Sequence, residues 1–171
     1  DVAISPEATN VHGITNESIK DYPTFDEIIE KVVGICKGAK YLCSYNGHRF
    51  DDPILINELQ RNGSDMPPNI KSLDMMVLIR YMEPLLMSYK LCDVIKHLGL
   101  EGINSHRAFE DVECVQSLYL HMCKVCDTDG DGLYALQERI LSIQGSKWSN
   151  EDIETLLAVS YTHLRAHETI R

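Results

Sequence analysis

The sequence is short of basic residues for its acidity. Its 171 residues include 16 Lys and Arg against 26 Asp and Glu, which gives a formal net charge of −10. Nucleic-acid coat proteins and membrane-surface binders work through basic patches. The composition therefore disfavours both classes, but it leaves open an enzyme that meets phosphates through metal ions held by carboxylates.

Other features that the sequence lacks bear on where in the cell the protein is found. No apolar run approaches the roughly 20 residues of a membrane-spanning helix, and Asp1–Pro6 lacks the basic-then-apolar order of a signal peptide. The six cysteines show no framework spacing, and free thiols suit a reducing compartment. We therefore expect a cytoplasmic protein with no membrane partner.

The ends of the sequence are unusual. There is no initiator Met, and residues 159–171 resemble a translated sequencing adaptor. We expect that tail to carry neither fold nor function. The alternative is a basic C-terminal helix, because residues 164–168 are acceptable helix formers.

Most of the remaining sequence has helical patterning. A capping box at Thr24–Glu27 and an apolar face predict a helix that stops at Gly38. Two short strands are predicted near 41–45 and 70–74. Further helices are expected over 52–61, from 74 through 82, and over 88–98, 108–126, 133–144 and 149–158, so the fold class is α/β and mostly helical.

Three segments hold the residues with chemistry, namely 6–15, 46–51 and 106–111. Asp51 and Asp111 each lie near the beginning of a predicted helix, where the macrodipole favours an ionised carboxylate. Hard carboxylates suit Mg²⁺ or Mn²⁺ rather than Zn²⁺. Taken alone, each aspartate is better explained as a helix cap or a first-turn acid than as a metal ligand.

His106 belongs to the loop before the helix of Asp111. The two residues are five apart, about 140° around a helix, so they do not share a helical face. A histidine on a loop beside an oxygen-ligated metal suits a general base that acts on water. Together with two carboxylates it is suited to two-metal phosphodiester hydrolysis.

The three segments, in this order, resemble the 3′–5′ exonucleases of the DEDDh type, especially the proofreading epsilon subunits of bacterial DNA polymerase III. The segments are His12-Gly13-Ile14, Asn46-Gly47-His48-Arg49-Phe50-Asp51 and His106-Arg107-Ala108-Phe109-Glu110-Asp111, and the resemblance covers residues 1 to about 125. It implies a ribonuclease-H-like α/β exonuclease fold and two divalent metal ions, Mg²⁺ or Mn²⁺. The implied substrate is a nucleic-acid 3′ end, with single-stranded DNA favoured, and a DNA polymerase subunit is a candidate partner.

The resemblance also implies roles for individual residues. Asp51 and Asp111 would be metal ligands and His106 the general base. The positions that meet the terminal nucleotide would be Glu7, His12 and Phe50.

One departure from the family is large. Its first motif, Asp-x-Glu on the first strand, is not found ahead of Glu7. We therefore expect a domain without its N-terminal strands, with an uncovered apolar surface and no activity of its own. The expected organisation is a partial exonuclease domain at 1–126, a C-terminal helical extension at 127–158 and the tail at 159–171. The alternative is a non-catalytic, exonuclease-like interaction module.

Two competing sites remain open. Residues 127–138 match the calcium-loop template D-x-D-x-D-G-x₅-E at its liganding positions, although Tyr134 stands where an aliphatic residue is usual. Cys123 and Cys126, with His121 and Cys114 nearby, could form half of a zinc site. An acidic interhelical turn and buried thiols are the simpler interpretations.

Overall fold

The computed structural model describes residues 3–100 and 108–144. Over these ranges the protein is mostly helical, with one small sheet, as the sequence predicts. The elements in chain order are α1 (Pro6–His12), α2 (Phe25–Gly38), β1 (Tyr41–Ser44), α3 (Asp51–Arg61), β2 (Lys71–Asp74), α4 (Met75–Met82), α5 (Leu91–His97), α6 (Ala108–Val125) and α7 (Gly130–Gln144). The helix predicted at 149–158 and the tail at 159–171 lie outside the described residues.

The two predicted strands are confirmed, and they pair in parallel. Tyr41 lies opposite Lys71, and Ser44 lies opposite Asp74. Parallel neighbours need a crossover connection, which α3 provides. Both strands therefore end at the same edge of the sheet, and the turn after Ser44 lies beside the residues that follow β2.

The beginning of α2 follows the sequence prediction, whereas that of α3 does not. The Thr24 backbone N–H donates to the Glu27 carboxylate at 2.8 Å, which is half of the predicted capping box. Helix α3 was expected to begin with Asp52 as its cap, but it begins at Asp51 with Phe50 in the capping position. The reason is that Asp52 turns inward, where the Ser72 hydroxyl donates to its carboxylate at 2.5 Å.

The hydrophobic core lies between β2 and the helices that follow it. Helices α4, α5, α6 and α7 all contribute fully or nearly fully buried side chains, so the described part of the predicted C-terminal extension shares the core of the preceding segment. Strand β2 contributes Leu73. The helices contribute Met75, Leu78, Ile79, Met82, Val94, Ile95, Cys114, Leu118, Met122, Leu133 and Ile140.

The calcium-loop alternative is wrong for this structure. Helix α7 begins at Gly130, three residues earlier than expected, so most of the template residues lie on a helix instead of wrapping an ion. The Asp129 carboxylate accepts from the backbone N–H groups of Asp131 and Gly132 at 3.0 and 3.1 Å. Asp131 in turn accepts from Lys40 at 2.5 Å and from the Tyr41 hydroxyl. These carboxylates therefore cap α7 and join it to β1.

None of the described helices is long and apolar enough to cross a bilayer.

We predict that D131N destabilises the protein modestly at neutral pH and that the difference disappears in acid. Hydrogen bonds from Lys40 and Tyr41 lower the pKa of Asp131, so this contact stabilises the folded state above the ordinary carboxyl pKa of about 4. The contribution is lost as the pH falls through the lowered value. Urea unfolding of D131N and wild type from neutral pH to about pH 3 measures it.

The same carboxylate raises the pKa of Tyr41 to about 12. Asp65→Asn, at an exposed loop position, is the matched control and should leave the pH profile unchanged. An equal loss in D131N at neutral and acid pH would contradict an electrostatic contribution.

Candidate functional site

A cavity of about 820 Å³ opens between β1, α3 and α6. Asp51 reaches it from the first turn of α3, and Asp111 reaches it from the first turn of α6. The two aspartates are sixty positions apart in the sequence, and the fold brings them to one cavity. Each lies near a helix N-terminus, where the helix dipole favours the charged carboxylate.

Asp111 has an orphaned oxygen. Its Oδ1 atom is buried and has no hydrogen-bond partner within residues 3–100 and 108–144, although buried carboxylate oxygens are normally paired. Leaving such an atom unpaired costs on the order of 1–3 kcal/mol. A cation in the cavity would give this oxygen a partner, and hard oxygen donors are what Mg²⁺ and Mn²⁺ prefer.

Glu58 is a third acid in the wall of the cavity, and the sequence did not single it out. It lies seven residues after Asp51 on α3, which is the same helical face about 10 Å further along the axis. Arg61 pairs with it at 2.9 Å. Glu58 therefore adds a carboxylate to the lining, but its charge is paired with Arg61.

The rest of the lining is mainly apolar. Ile54 of α3 and Val112 of α6 are 62% and 63% exposed although they are aliphatic. Apolar side chains are therefore exposed at this cavity, and their exposure through missing strands stays a prediction. Low-polarity walls strengthen the attraction between a carboxylate and a cation.

A buried carboxylate organises the turn that leads to Asp51. Asp74, only 2% exposed, accepts from the backbone N–H groups of Asn46 and His48 at 2.7 and 3.3 Å. It also accepts from Met76 at 3.0 Å and so caps α4. Asn46 has a positive φ of 65°, which is uncommon for a residue with a side chain. The turn after β1 is thus fixed by a residue of β2.

Gly47 lets this turn lie against the end of β1. A Cβ atom at Gly47 would be 2.0 Å from the Ser44 Oγ atom. The Gly47 carbonyl accepts from the Asp52 N–H at 2.9 Å, which ties the turn to the start of α3. The close approach therefore requires glycine.

Tyr45 is another residue of the cavity wall, and a hydrogen bond holds its side chain in place. Its hydroxyl donates to the Tyr89 carbonyl at 2.7 Å, just ahead of α5. Burial raises the pKa of Tyr45, so the hydroxyl remains protonated and continues to donate.

The other predicted site residues have different positions. Phe50 precedes Asp51 and is 59% exposed at the mouth of the turn. Glu7 and His12 belong to α1 and are not among the residues that line the cavity. The His12 Nδ1 atom accepts from the Ile14 N–H at 3.0 Å. His106 lies outside the described residues.

Asp51 and Asp111 line the same cavity without forming a full metal-binding cage among the described residues. Over residues 3–100 and 108–144, no three His, Cys, Asp or Glu side chains are gathered closely enough to hold a metal ion. This finding also removes the zinc alternative for the described residues: the Cys126 thiol instead contacts the Met82 sulfur at 3.8 Å. The donor type of the pair suits a hard cation, with additional ligands required.

Sequence reasoning missed the residues that support the site. Asp74 was assigned only to a strand end and Asp52 only to a cap, and Gln137 was not singled out. One signal was available for Asp74, because it stands between apolar residues at the carboxyl end of a strand. Acids in that position of a parallel sheet lie where functional loops meet.

Comparison with known proteins gives a consistent family. The model of the family described as Exonuclease (RNase_T) matches residues 1–119. A DNA polymerase III PolC-type protein of Clostridium perfringens is 30% identical over 145 residues, which are 82% of this chain and 10% of the relative. The 3′-5′ exonuclease DinG of Bacillus subtilis is 30% identical over 110 residues, or 64% of this chain and 12% of that protein.

A shorter relative shows the same relationship. The DNA polymerase III subunit epsilon of Pasteurella multocida is 27% identical over 125 residues, which are 70% of this chain and 47% of the relative. The chain thus spans less than half of each of these three proteins.

We predict that G47A destabilises the protein by about 1–3 kcal/mol, the usual range for overpacking. The new methyl group would displace Ser44 and the turn before Asp51. Urea unfolding measures the effect.

Gly34→Ala is the matched control, because a Cβ atom at that α2 position meets nothing within 4 Å. That substitution should stabilise by about 0.5–1 kcal/mol, the helix preference for alanine over glycine. Equal effects of the two substitutions would show that the close approach at Gly47 is not tight.

Proposed function

This chain belongs to the exonuclease family whose model matches residues 1–119, and on that basis we propose that it is part of a metal-dependent 3′–5′ exonuclease. The reaction would be hydrolysis of phosphodiester bonds at nucleic-acid 3′ ends, with DNA favoured. The relatives named as DNA polymerase III components and as a 3′-5′ exonuclease support this choice.

The observation that carries the proposal is that Asp51 and Asp111 line one cavity, where the buried Asp111 Oδ1 atom has no partner in the described part of the chain. These two side chains would hold divalent cations. When bound, a pair of such ions neutralises phosphate charge and orients the attacking and leaving oxygens. An acidic chain thereby acquires local positive charge where its substrate needs it.

Other residues would act on the substrate and on water. His106, five residues before Asp111, would accept a proton from the attacking water. The exposed ring of Phe50 would stack on the terminal base, because a base and an aromatic face attract each other whatever the base sequence. Glu7 and His12 lie on the exposed helix α1. They would contact the terminal nucleotide once α1 and the cavity had closed around it.

The resemblance assigns two more carboxylates to an Asp-x-Glu motif that residues 1–6 do not contain. We propose that this motif, on strands that complete a ribonuclease-H-like sheet, supplies the remaining metal ligands. The 171-residue chain would then bind metal weakly and hydrolyse DNA poorly. The setting we propose for the complete protein is cytoplasmic DNA replication or repair, with a polymerase subunit as partner.

We predict that D51N and D111N each weaken Mn²⁺ binding by at least about 10-fold, which is the lower bound for changes to residues that only support metal ligands. Each substitution keeps the side-chain shape and removes the charge that binds the cation. Electron paramagnetic resonance of free Mn²⁺ measures the affinity. Asp65→Asn, at an exposed loop position, is the control and should bind as wild type does. Unchanged binding in D51N and D111N would exclude this metal site and favour a non-catalytic interaction module.

We also predict that the chain degrades a 3′-labelled single-stranded DNA oligonucleotide slowly or not at all in Mg²⁺ or Mn²⁺. Over the described residues no three potential ligands are gathered to hold even one metal ion, and the proposed reaction would use two. Gel analysis of 3′- and 5′-labelled strands measures the rate and the direction. Robust removal of the 3′ label that depends on Asp111 would show that the chain is active without the Asp-x-Glu motif.

A further inference from the structure

Gln137 is a fully buried polar residue that the proposed reaction does not use. It lies in the middle of α7, beyond the residues 1–119 that match the family model, and its exposed fraction is 0%. The Gln137 Oε1 atom accepts from the Asp74 N–H at 2.6 Å. Its Nε2 atom donates to the Ser72 carbonyl at 2.9 Å. The side-chain amide thus pairs with two backbone groups of β2, as the backbone of a neighbouring strand would.

The same two residues of β2 reach the site through their side chains. The Asp74 carboxylate holds the N–H groups of Asn46 and His48. The Ser72 hydroxyl holds the carboxylate of Asp52 at 2.5 Å. Two short chains of hydrogen bonds therefore run from Gln137 through β2, and they end on either side of Asp51.

We propose that Gln137 is a positioning residue for Asp51. By fixing the carboxyl end of β2, its amide fixes the turn after β1 and the first turn of α3, which present Asp51 to the cavity. The inference rests on the proposed function only where it concerns metal binding. If Gln137 has this role, a residue of α7 supports the site although it lies beyond the residues that match the family model.

The alternative role for Gln137 is core filling alone. Against that role, an apolar side chain of the same size would leave the Asp74 N–H and the Ser72 carbonyl buried without partners. The end of β2 would then shift to find partners, and the Asp74 carboxylate would move with it. Helix α7 would remain in place, since Leu133 and Ile140 anchor it in the core.

The test compares Gln137→Met, which keeps length and volume but removes both hydrogen bonds, with Ile140→Val, a core change on the same helix. Two readouts are used on the full 171-residue chain. The first is the set of amide NMR signals of Asn46, His48 and Asp51. The second is Mn²⁺ affinity by electron paramagnetic resonance. We expect Q137M to shift the three amide signals and to weaken Mn²⁺ binding about 10-fold, as loss of a supporting partner does, while I140V changes neither.

Two results would overturn the proposal. One is an unchanged set of signals at Asn46 and His48 in Q137M. The other is a loss of Mn²⁺ affinity no larger than that in I140V. Absence of Mn²⁺ binding to the wild type would refute the proposed function instead, and the amide signals would still decide the positioning role.

A measurement on the wild type covers the case in which Q137M does not fold. Native-state hydrogen exchange should give the Asn46 and Asp74 amides the same protection, because one opening event releases both. Exchange of Asn46 much faster than Asp74 would show that the turn moves independently of β2, and it would contradict the proposal.

Discussion

The Asp74 carboxylate is the interaction on which the surroundings of the cavity depend. It is almost fully buried, yet it accepts three backbone N–H bonds, from Asn46, His48 and Met76. A buried carboxylate is costly unless it is fully hydrogen-bonded, so only one arrangement of these three donors is acceptable. The carboxylate consequently sets where β2 ends, where α4 begins and how the chain turns before Asp51.

The carboxylate of Asp111 has the opposite surroundings from that of Asp74. Asp74 has its hydrogen bonds provided by the backbone, whereas Asp111 has a buried oxygen with no partner among the residues that the structure describes. The first arrangement fixes the backbone, and the second leaves an oxygen that would bind a cation in the proposed function. Asp52 is intermediate between the two, because one of its carboxylate oxygens accepts from Ser72 and the other is buried with no partner among the described residues.

Local sequence signals account for the elements but not for the contacts between them. The capping of α2, the apolar stripe of α6 and the two strands are each determined within a few residues, and they were predicted. Asp51 and Asp111 were found because their neighbours resemble a family. Asp74 and Gln137 were missed because their partnership spans 63 positions. Nothing nearby distinguishes a buried glutamine from one on a helix surface, and the inward turn of Asp52 depends on Ser72 in the same way.

The positions of the acidic residues in the fold, rather than their number, explain the role of the acidity. The run of acids at 127–131 looks like a cation site in the sequence, but Asp131 is held by Lys40 and Tyr41, and Asp129 caps α7. The carboxylates that line the cavity are fewer and are spread over α3 and α6. Their walls are largely apolar, so their charge is less screened than that of an exposed cluster. In the proposed function, these carboxylates would repel a phosphate-bearing substrate unless cations were bound between them, so the proposed reaction would depend on metal.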